Sequence, residues 1–385
     1  MVKKSYIAFL LFFIVLISFI GYIFIAKTQE PHEIKLGASL PLSGINQNLG
    51  EEIVVGANTY FHYINKKGGI NGKKIKFIYY DDKYEPEITW SNTEKLINKD
   101  KVFALFDFVG TPTVKKIMPI IEQSNIPFIA PYTGASFLRN PNIKNIVNFR
   151  SSYQEEINAL VDYLVKNKMF TKFSIFYQND DYGKEGYIAL LNALKQKGLD
   201  LLSEGTYKRN TLFIKQAIYD IKAKEPEAII LVGAYKPTAR FIRKARKDDS
   251  FKDTIFCPIS FVNANALTQE LHNNGKNLLF SQTVPTYTNN TPQDQEYLRL
   301  LSIYYPNHSP TFASFESFLA AKVLVNALSK IKGDISAKKF LENIKSLNST
   351  TLGDIKIHYK NSQLLNSVYL LKFEDEKFKT ICETQ

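Results

Sequence analysis

Short apolar runs alternate with amphipathic stretches along almost the whole chain, and this alternation restricts the fold more than any other feature. Residues 34–40 read as a strand. Residues 50–66 read as a helix with Ile53, Ala57, Tyr60, Phe61 and Ile64 on one face. Gly68 and Gly69 stop it, because glycine tolerates the left-handed cap conformation, and Asn71 and Gly72 turn the chain into a strand at 74–80. Helices at 87–98 and 112–124 follow, interleaved with strands at 102–106 and 126–130. Past Arg150 the logic repeats, with helices at 154–167, 183–197, 211–223 and 237–247 and strands at 173–177, 201–207, 228–232 and 254–256. Repeated βαβ units imply parallel sheets covered by helices. Two blocks, in a chain of 385 residues that is too long for one ordinary core, predict an α/β fold of two doubly wound parallel-sheet lobes. In such sheets a ligand lies beyond the carboxyl ends of the strands, against helix N-termini. That rule selects the loops 40–50, 106–113, 131–135, 178–183 and 233–237.

The first thirty residues bear on the compartment. Lys3 and Lys4 precede an apolar run at 6–26, interrupted only by Ser18, Gly21 and Tyr22. As a helix it spans about 31 Å, enough to cross a bilayer. Ile25 and Ala26 make a poor cleavage site, so residues 1–32 are expected to be an uncleaved inner-membrane anchor and linker, with the body from 33 onward extracytoplasmic. The formal net charge of +12 raises the question of nucleic acid. Only seven of the 49 basic residues are arginine, however, and lysine is scattered without a dense basic stripe, so no nucleic-acid partner is expected. Cys257 and Cys382 form no CxxC pair and are expected to be inert thiols. His32, His62, His272, His308 and His358 show no ligand spacing, so no metal and no cofactor is called for. No nucleophile elbow, phosphate loop or zinc-helix motif points to an enzyme. The carboxylate pair Asp81 and Asp82 ends a strand and reads as a turn.

Several segments, in order, resemble the type I periplasmic binding proteins, and within them the branched-chain amino-acid (Leu/Ile/Val) binding subfamily of ABC-transporter receptors. They are IKLGASLPLSG at 34–44, GANTYFHYINKKGGINGKKIKFIYYDD at 56–82, FVGTPTVKKIMPIIEQSNIPFIAP at 108–131 and NFRSSYQEE at 148–156. They continue with FYQNDDYGKEG at 176–186, LVGAYKPTARFIRKAR at 231–246, FASFESFLAAKVLVNAL at 312–328, then LGDIKIHY and VYLLKF near the end. The resemblance implies one domain at 33–385. Lobe 1 would hold about 34–150 and 286–352, lobe 2 about 151–285 and 353–385, with three crossings near Arg150, Pro285 and Gly353 acting as a hinge. It implies a small-molecule ligand closed between the lobes and handed to an ABC permease, or read by a separate membrane sensor protein.

The same resemblance implies a carboxylate site in the loops that follow the third and fourth strands. Here these are Thr111, Pro112 and Thr113, then Tyr132, Thr133 and Gly134. Hydroxyls and free amides at a helix N-terminus suit an anion. Tyr182 and Tyr235 fall where the family sets aromatics against the ligand, and Asp180 and Asp181 stand beside Tyr182 as a helix cap or a solvated pair. Two departures stand out. The family's amino-acid receptors offer a carboxylate for the ligand's ammonium just after the strand at 254–256, whereas CPISFVNAN at 257–265 has no acid. The aromatic before the second glycine of the first loop is Leu49 here. With both departures a small polar or anionic organic solute, amino-acid-like, carboxylate or amide, fits as well as a simple α-amino acid.

Overall fold

The computed structural model describes residues 33–347, 351–352 and 355–384. The apolar run at 6–26 lies outside them. The first lobe is built on a five-stranded parallel sheet in the order β2-β1-β3-β4-β5. Its strands are β1 (Glu33–Leu40), β2 (Lys74–Asp81), β3 (Ala104–Phe106), β4 (Phe128–Ile129) and β5 (Ile146–Val147). β1 lies inside the sheet, between β2 and β3, and is buried on both faces from Leu36 to Leu40: Leu36, Ala38 and Leu40 on one side, Gly37 and Ser39 on the other. Helices α1 (Gln47–Lys66), α2 (Pro86–Asn98) and α3 (Thr111–Ser124) make the crossovers. The order reverses between β1 and β3, which puts a switch-point crevice at their carboxyl ends.

The second lobe repeats the plan. Its sheet runs β7-β6-β8-β9, all parallel, from β6 (Phe173–Gln178), β7 (Leu201–Tyr207), β8 (Ala228–Val232) and β9 (Ile255–Pro258). Its helices are α4 (Tyr153–Lys168), α5 (Asp181–Gln196), α6 (Lys215–Lys222), α7 (Tyr235–Ala245) and α8 (Ala264–Glu270). Beside β9 an antiparallel ribbon of β10 (Phe280–Gln282), β13 (Val368–Glu374) and β14 (Lys377–Thr384) is attached through Phe256, which donates to Asn277 O. α4 starts on a complete capping box: Ser152 accepts from Glu155 N, and the Glu155 carboxylate accepts from Ser152 N.

After β10 the chain returns to the first lobe through α9 (Pro292–Tyr304), α10 (Phe312–Ser329) and α11 (Ala337–Lys345), and then forms the small hairpin of β11 (Thr351–Leu352) and β12 (Ile355–Lys356). α10 is apolar on every side. Among the described residues it is the one helix long and apolar enough to cross a membrane, yet it is 83% buried as the core helix of its lobe. Gly56 of α1 permits its close contact with α10: a β-carbon there would lie 2.1 Å from Ser314 O.

Two expectations shift. The helix expected at 211–223 begins only at Lys215, because Arg209 and Asn210 reach across to Glu85 of the first lobe and hold 208–211 in a turn closed by Thr211 N to Lys208 O. The third crossing, expected near Gly353, lies further on. Residues 362–365 still pair with the first lobe, with Asn148 N donating to Ser362 O and Leu365 N to Phe149 O, and the chain joins the second sheet only at Val368. The other two crossings run past Arg150 and Thr283.

Candidate functional site

The segments after β2, β3 and β4 face those after β6 and β7 across the crevice between the lobes, joined by Arg209–Glu85, Lys115–Asp181 and Ser136–Glu185. Gly110 takes φ +101° and ψ 148°, a conformation essentially limited to glycine, and delivers Thr111 to the first turn of α3. The Thr111 and Thr133 hydroxyls lie 2.8 Å apart, and Thr133 Oγ1 is 3.1 Å from the Tyr153 hydroxyl. Pro112, in the same first turn, has no N–H to satisfy. Gly134 sits directly against Tyr153, where a β-carbon would meet its ring at 2.6 Å. The Tyr132 ring carries the Arg150 guanidinium, 3.9 Å from its centroid. Tyr182 is fully buried, 5.4 Å from Tyr153 and 4.6 Å from Phe261 between ring centroids.

The structure therefore brings Thr111, Tyr132, Thr133, Gly134 and Tyr182 together. The Thr113 hydroxyl turns back onto Val109 O and Gly110 O, spending its hydrogen bond within the helix. Tyr235 begins α7 and lines a recess of about 440 Å³ between Asn48 of the first lobe and Arg243, Gln269, Glu270 and His272 of the second.

Sequence reasoning missed Tyr84, Phe261 and the charges. Tyr84 follows β2 with φ +60°, is buried, and has its ring centroid 6.2 Å from that of Phe261. The Tyr84 and Tyr182 hydroxyls are fully enclosed without a hydrogen-bond partner, although Tyr84 lies near the Gln178 amide. Burial pushes the Tyr84 and Tyr182 phenols well above their usual range, with further upward pressure on each from Tyr153 and Tyr207. These hydroxyls thus converge from both lobes and stay neutral.

Four carboxylates stand close by, and each is consumed. Glu316 holds Arg150 bidentately at 2.8 and 3.0 Å and accepts from Thr283. Glu156 accepts from Ser260 N, Ser260 Oγ and Ser281 Oγ. Asp180 caps α5 by accepting from Tyr182 N and Gly183 N, accepts from Gln178 Nε2, and faces Arg209 at 3.6 Å. Asp107 accepts from Ser317, and burial pushes its carboxyl up to about 8, aided by Glu316. Arg150 Nη1, by contrast, has no partner. Contacts across the cleft rim complete the closed arrangement: Lys115 to Asp181 at 2.7 Å, Arg209 to Glu85 at 2.8 Å, and Ser136 to Glu185. Among the described residues no group of histidines, cysteines and carboxylates suits a metal ion.

The Asp107 shift carries a sign. Its folded-state value of about 8 lies above the ordinary 3.8, so the native state keeps a proton that the unfolded chain releases. The associated stability is whole below about pH 4 and is lost as pH rises through 8. Melting temperatures at pH 5, 7 and 9 should therefore fall more steeply for the natural chain than for Asp107→Asn; parallel curves would contradict this assignment.

A sequence model described as "Periplasmic binding protein" matches residues 33–377. The chain belongs to this family. Its relatives include the Leu/Ile/Val-binding protein homolog 7 of Brucella abortus, 20% identical over 371 residues and covering 91% of each chain. A crystal structure of a possible leucine/isoleucine/valine-binding protein from Rhodopirellula baltica superposes with a TM-score of 0.86 at 30% identity, over 91% of this chain and 96% of that one. A substrate-binding periplasmic protein from Ralstonia solanacearum gives 0.82 at 25% identity, over 88% and 97%. The chain is thus a type I periplasmic binding protein of the branched-chain amino-acid binding subfamily, whose members are extracytoplasmic solute-binding proteins.

Proposed function

We propose that this chain closes its two lobes on a small organic anion that lacks an ammonium group and presents it to an ABC permease. One observation carries the reading: every carboxylate around the crevice is consumed, while neutral donors remain. Those donors are the Tyr84 and Tyr182 hydroxyls, fully enclosed without a partner, beside the mutually bonded Thr111 and Thr133 hydroxyls at the start of α3. A carboxylate satisfies such donors without a counter-charge. A buried ammonium without an acceptor would cost several kcal/mol. The stretch 257–265 explains the difference from an amino-acid receptor, since it presents buried Ile259, Phe261 and Val262 in place of an acid. The ligand touches both lobes, so binding favours the closed form.

The test is a thermal-shift screen of the full-length chain against small carboxylates, amides and amino acids. A ligand at a hundred times its dissociation constant stabilises by about 2.7 kcal/mol. Carboxylates are expected to raise the melting temperature; a rise with amino acids alone would sink the proposal. A second reading, a tethered sensor component, rests on the apolar run at 6–26, whose length suits an anchor that would limit travel to a transporter. Stimulation of a reconstituted permease's ATPase by the liganded chain supports transport over sensing.

A further inference from the structure

The lobes are joined by more than the ion pairs of the cleft rim. Residues 260–265 run from the end of β9 into α8, and they tie the second lobe to the first at three places. Ser260 fastens the segment to its own lobe: its N–H and its hydroxyl both donate to Glu156 at 2.8 Å, and Ser281 of β10 donates to the same carboxylate. Phe261 packs its ring onto Tyr132 and Tyr84 of the first lobe, at 6.1 and 6.2 Å between centroids, and onto Tyr182 of its own lobe at 4.6 Å. Asn263 Nδ2 donates to Asn48 Oδ1 of α1 at 2.8 Å. Asn265 Oδ1 accepts from Phe312 N at the start of α10 at 3.0 Å, and Asn265 Nδ2 donates to the Tyr287 hydroxyl at 2.8 Å. Phe261, Asn263 and Asn265 thus engage three separate regions of the first lobe: the loops after β2 and β4, the first turn of α1 and the first turn of α10.

Asn263 makes the crossing possible. Its left-handed φ of +64° is one that asparagine tolerates better than most residues, and its Oδ1 caps α8 by accepting from Ala266 N. Its side chain therefore holds its own lobe with the oxygen and the other lobe with the nitrogen. Burial decides which contacts weigh most. Phe261 and Asn263 are 2% and 4% exposed, so parting the lobes here uncovers apolar surface and breaks a hydrogen bond made out of water. Lys115 and Asp181 on the rim are 55% and 38% exposed, and salt screens such a pair. Phe312 N is the first N–H of α10 and has no acceptor in its own helix, so Asn265 of the other lobe satisfies it.

We propose that residues 260–265 are an internal strap, which holds the crevice shut with the chain's own side chains and lifts before a solute enters. The Phe261 ring lies against Tyr84 and Tyr182, so both become reachable only when it withdraws. A solute binds the lifted form alone, and its apparent affinity is reduced by the fraction of chains in which the strap is lifted. The strap acts whichever solute the crevice takes, so its test needs no solute and stands apart from the anion reading.

Hydrogen exchange at Phe312 N–H reads the strap directly, because that proton is held by the other lobe. The full-length chain, refolded from urea so that no solute accompanies it, should protect Phe312 N–H. Phe261→Ala should speed its exchange by at least about tenfold, through loss of the packing between the lobes. Asn48→Ala, which removes one hydrogen bond from the first-lobe side, should speed it about fivefold. Leu105 N of β3 and Ile230 N of β8 should keep their rates in Asn48→Ala, which separates lifting from unfolding. Where Phe261→Ala speeds these sheet amides as well, Asn48→Ala decides. Salt at about 0.5 M should leave Phe312 N–H unchanged, because it screens only the rim pairs. An unprotected Phe312 N–H in the natural chain overturns the proposal. So does a rate that Asn48→Ala leaves unaltered, or one that salt raises as much as Phe261→Ala does, since closure would then rest on the rim.

Discussion

Replacing Arg150 by alanine is expected to destabilise the chain by about 3–5 kcal/mol, read as a fall in the urea midpoint. Arg150 is 1% and Glu316 5% exposed, so the substitution leaves a carboxylate deep in protein without its counter-charge. It also removes the guanidinium stacked on Tyr132. The pair sits where the crossings converge: Arg150 belongs to one, Thr283 to the next, and both bind Glu316 of α10. Ser151 ties the first crossing to the third by donating to Ser367 O. Replacing both partners, Arg150→Met with Glu316→Leu, should recover most of the stability, because a fully apolar pair leaves no orphaned charge. A single Arg150→Ala change costing less than about 1 kcal/mol, the size of an exposed pair, would contradict this account.

Gly110→Ala is the second large effect. Its φ of +101° with ψ 148° is closed to residues with a side chain, and the new β-carbon would stand 2.3 Å from the Tyr84 ring and 2.9 Å from Thr113 Oγ1. Backbone strain and a displaced ring together are expected to cost about 2–4 kcal/mol. Movement of Tyr84 and of the first turn of α3 should also weaken binding of an organic acid by more than about tenfold, through loss of a charge-assisted hydrogen bond. Urea titration and calorimetry read the two losses separately. Unchanged affinity in a destabilised variant would remove Gly110 and Tyr84 from the site.

The alternation of apolar strands and amphipathic helices made the two parallel sheets legible before any coordinates. β7 and β8 run over the predicted residues, and α3 and α4 begin one residue early. The strand-end rule and the resemblance together pointed to Thr111 and Thr133, which do meet. Local sequence could not reveal the partnerships that close the crevice. Arg150 and Glu316 are 166 positions apart, and Glu156 and Ser281 are 125 apart, so their pairing is a product of the interleaved crossings. Phe261 looked like an ordinary apolar residue in a stretch notable for its missing acid, and Tyr84 like part of a turn. Only the left-handed backbone at 83–84 shows why Tyr84 points inward. Thr113 and Tyr235 also stand in selected loops; the Thr113 hydroxyl folds back on its own helix, and Tyr235 faces a recess shared with Asn48 of the first lobe.

The most direct test compares leucine with 4-methylpentanoate, the same molecule without its amino group, by isothermal titration against the full-length chain. Because no carboxylate in the crevice is free to meet an ammonium, the deaminated acid should bind at least about a hundredfold more tightly than leucine. Tighter binding of leucine would contradict the account, since it would require an acceptor that the crevice does not offer.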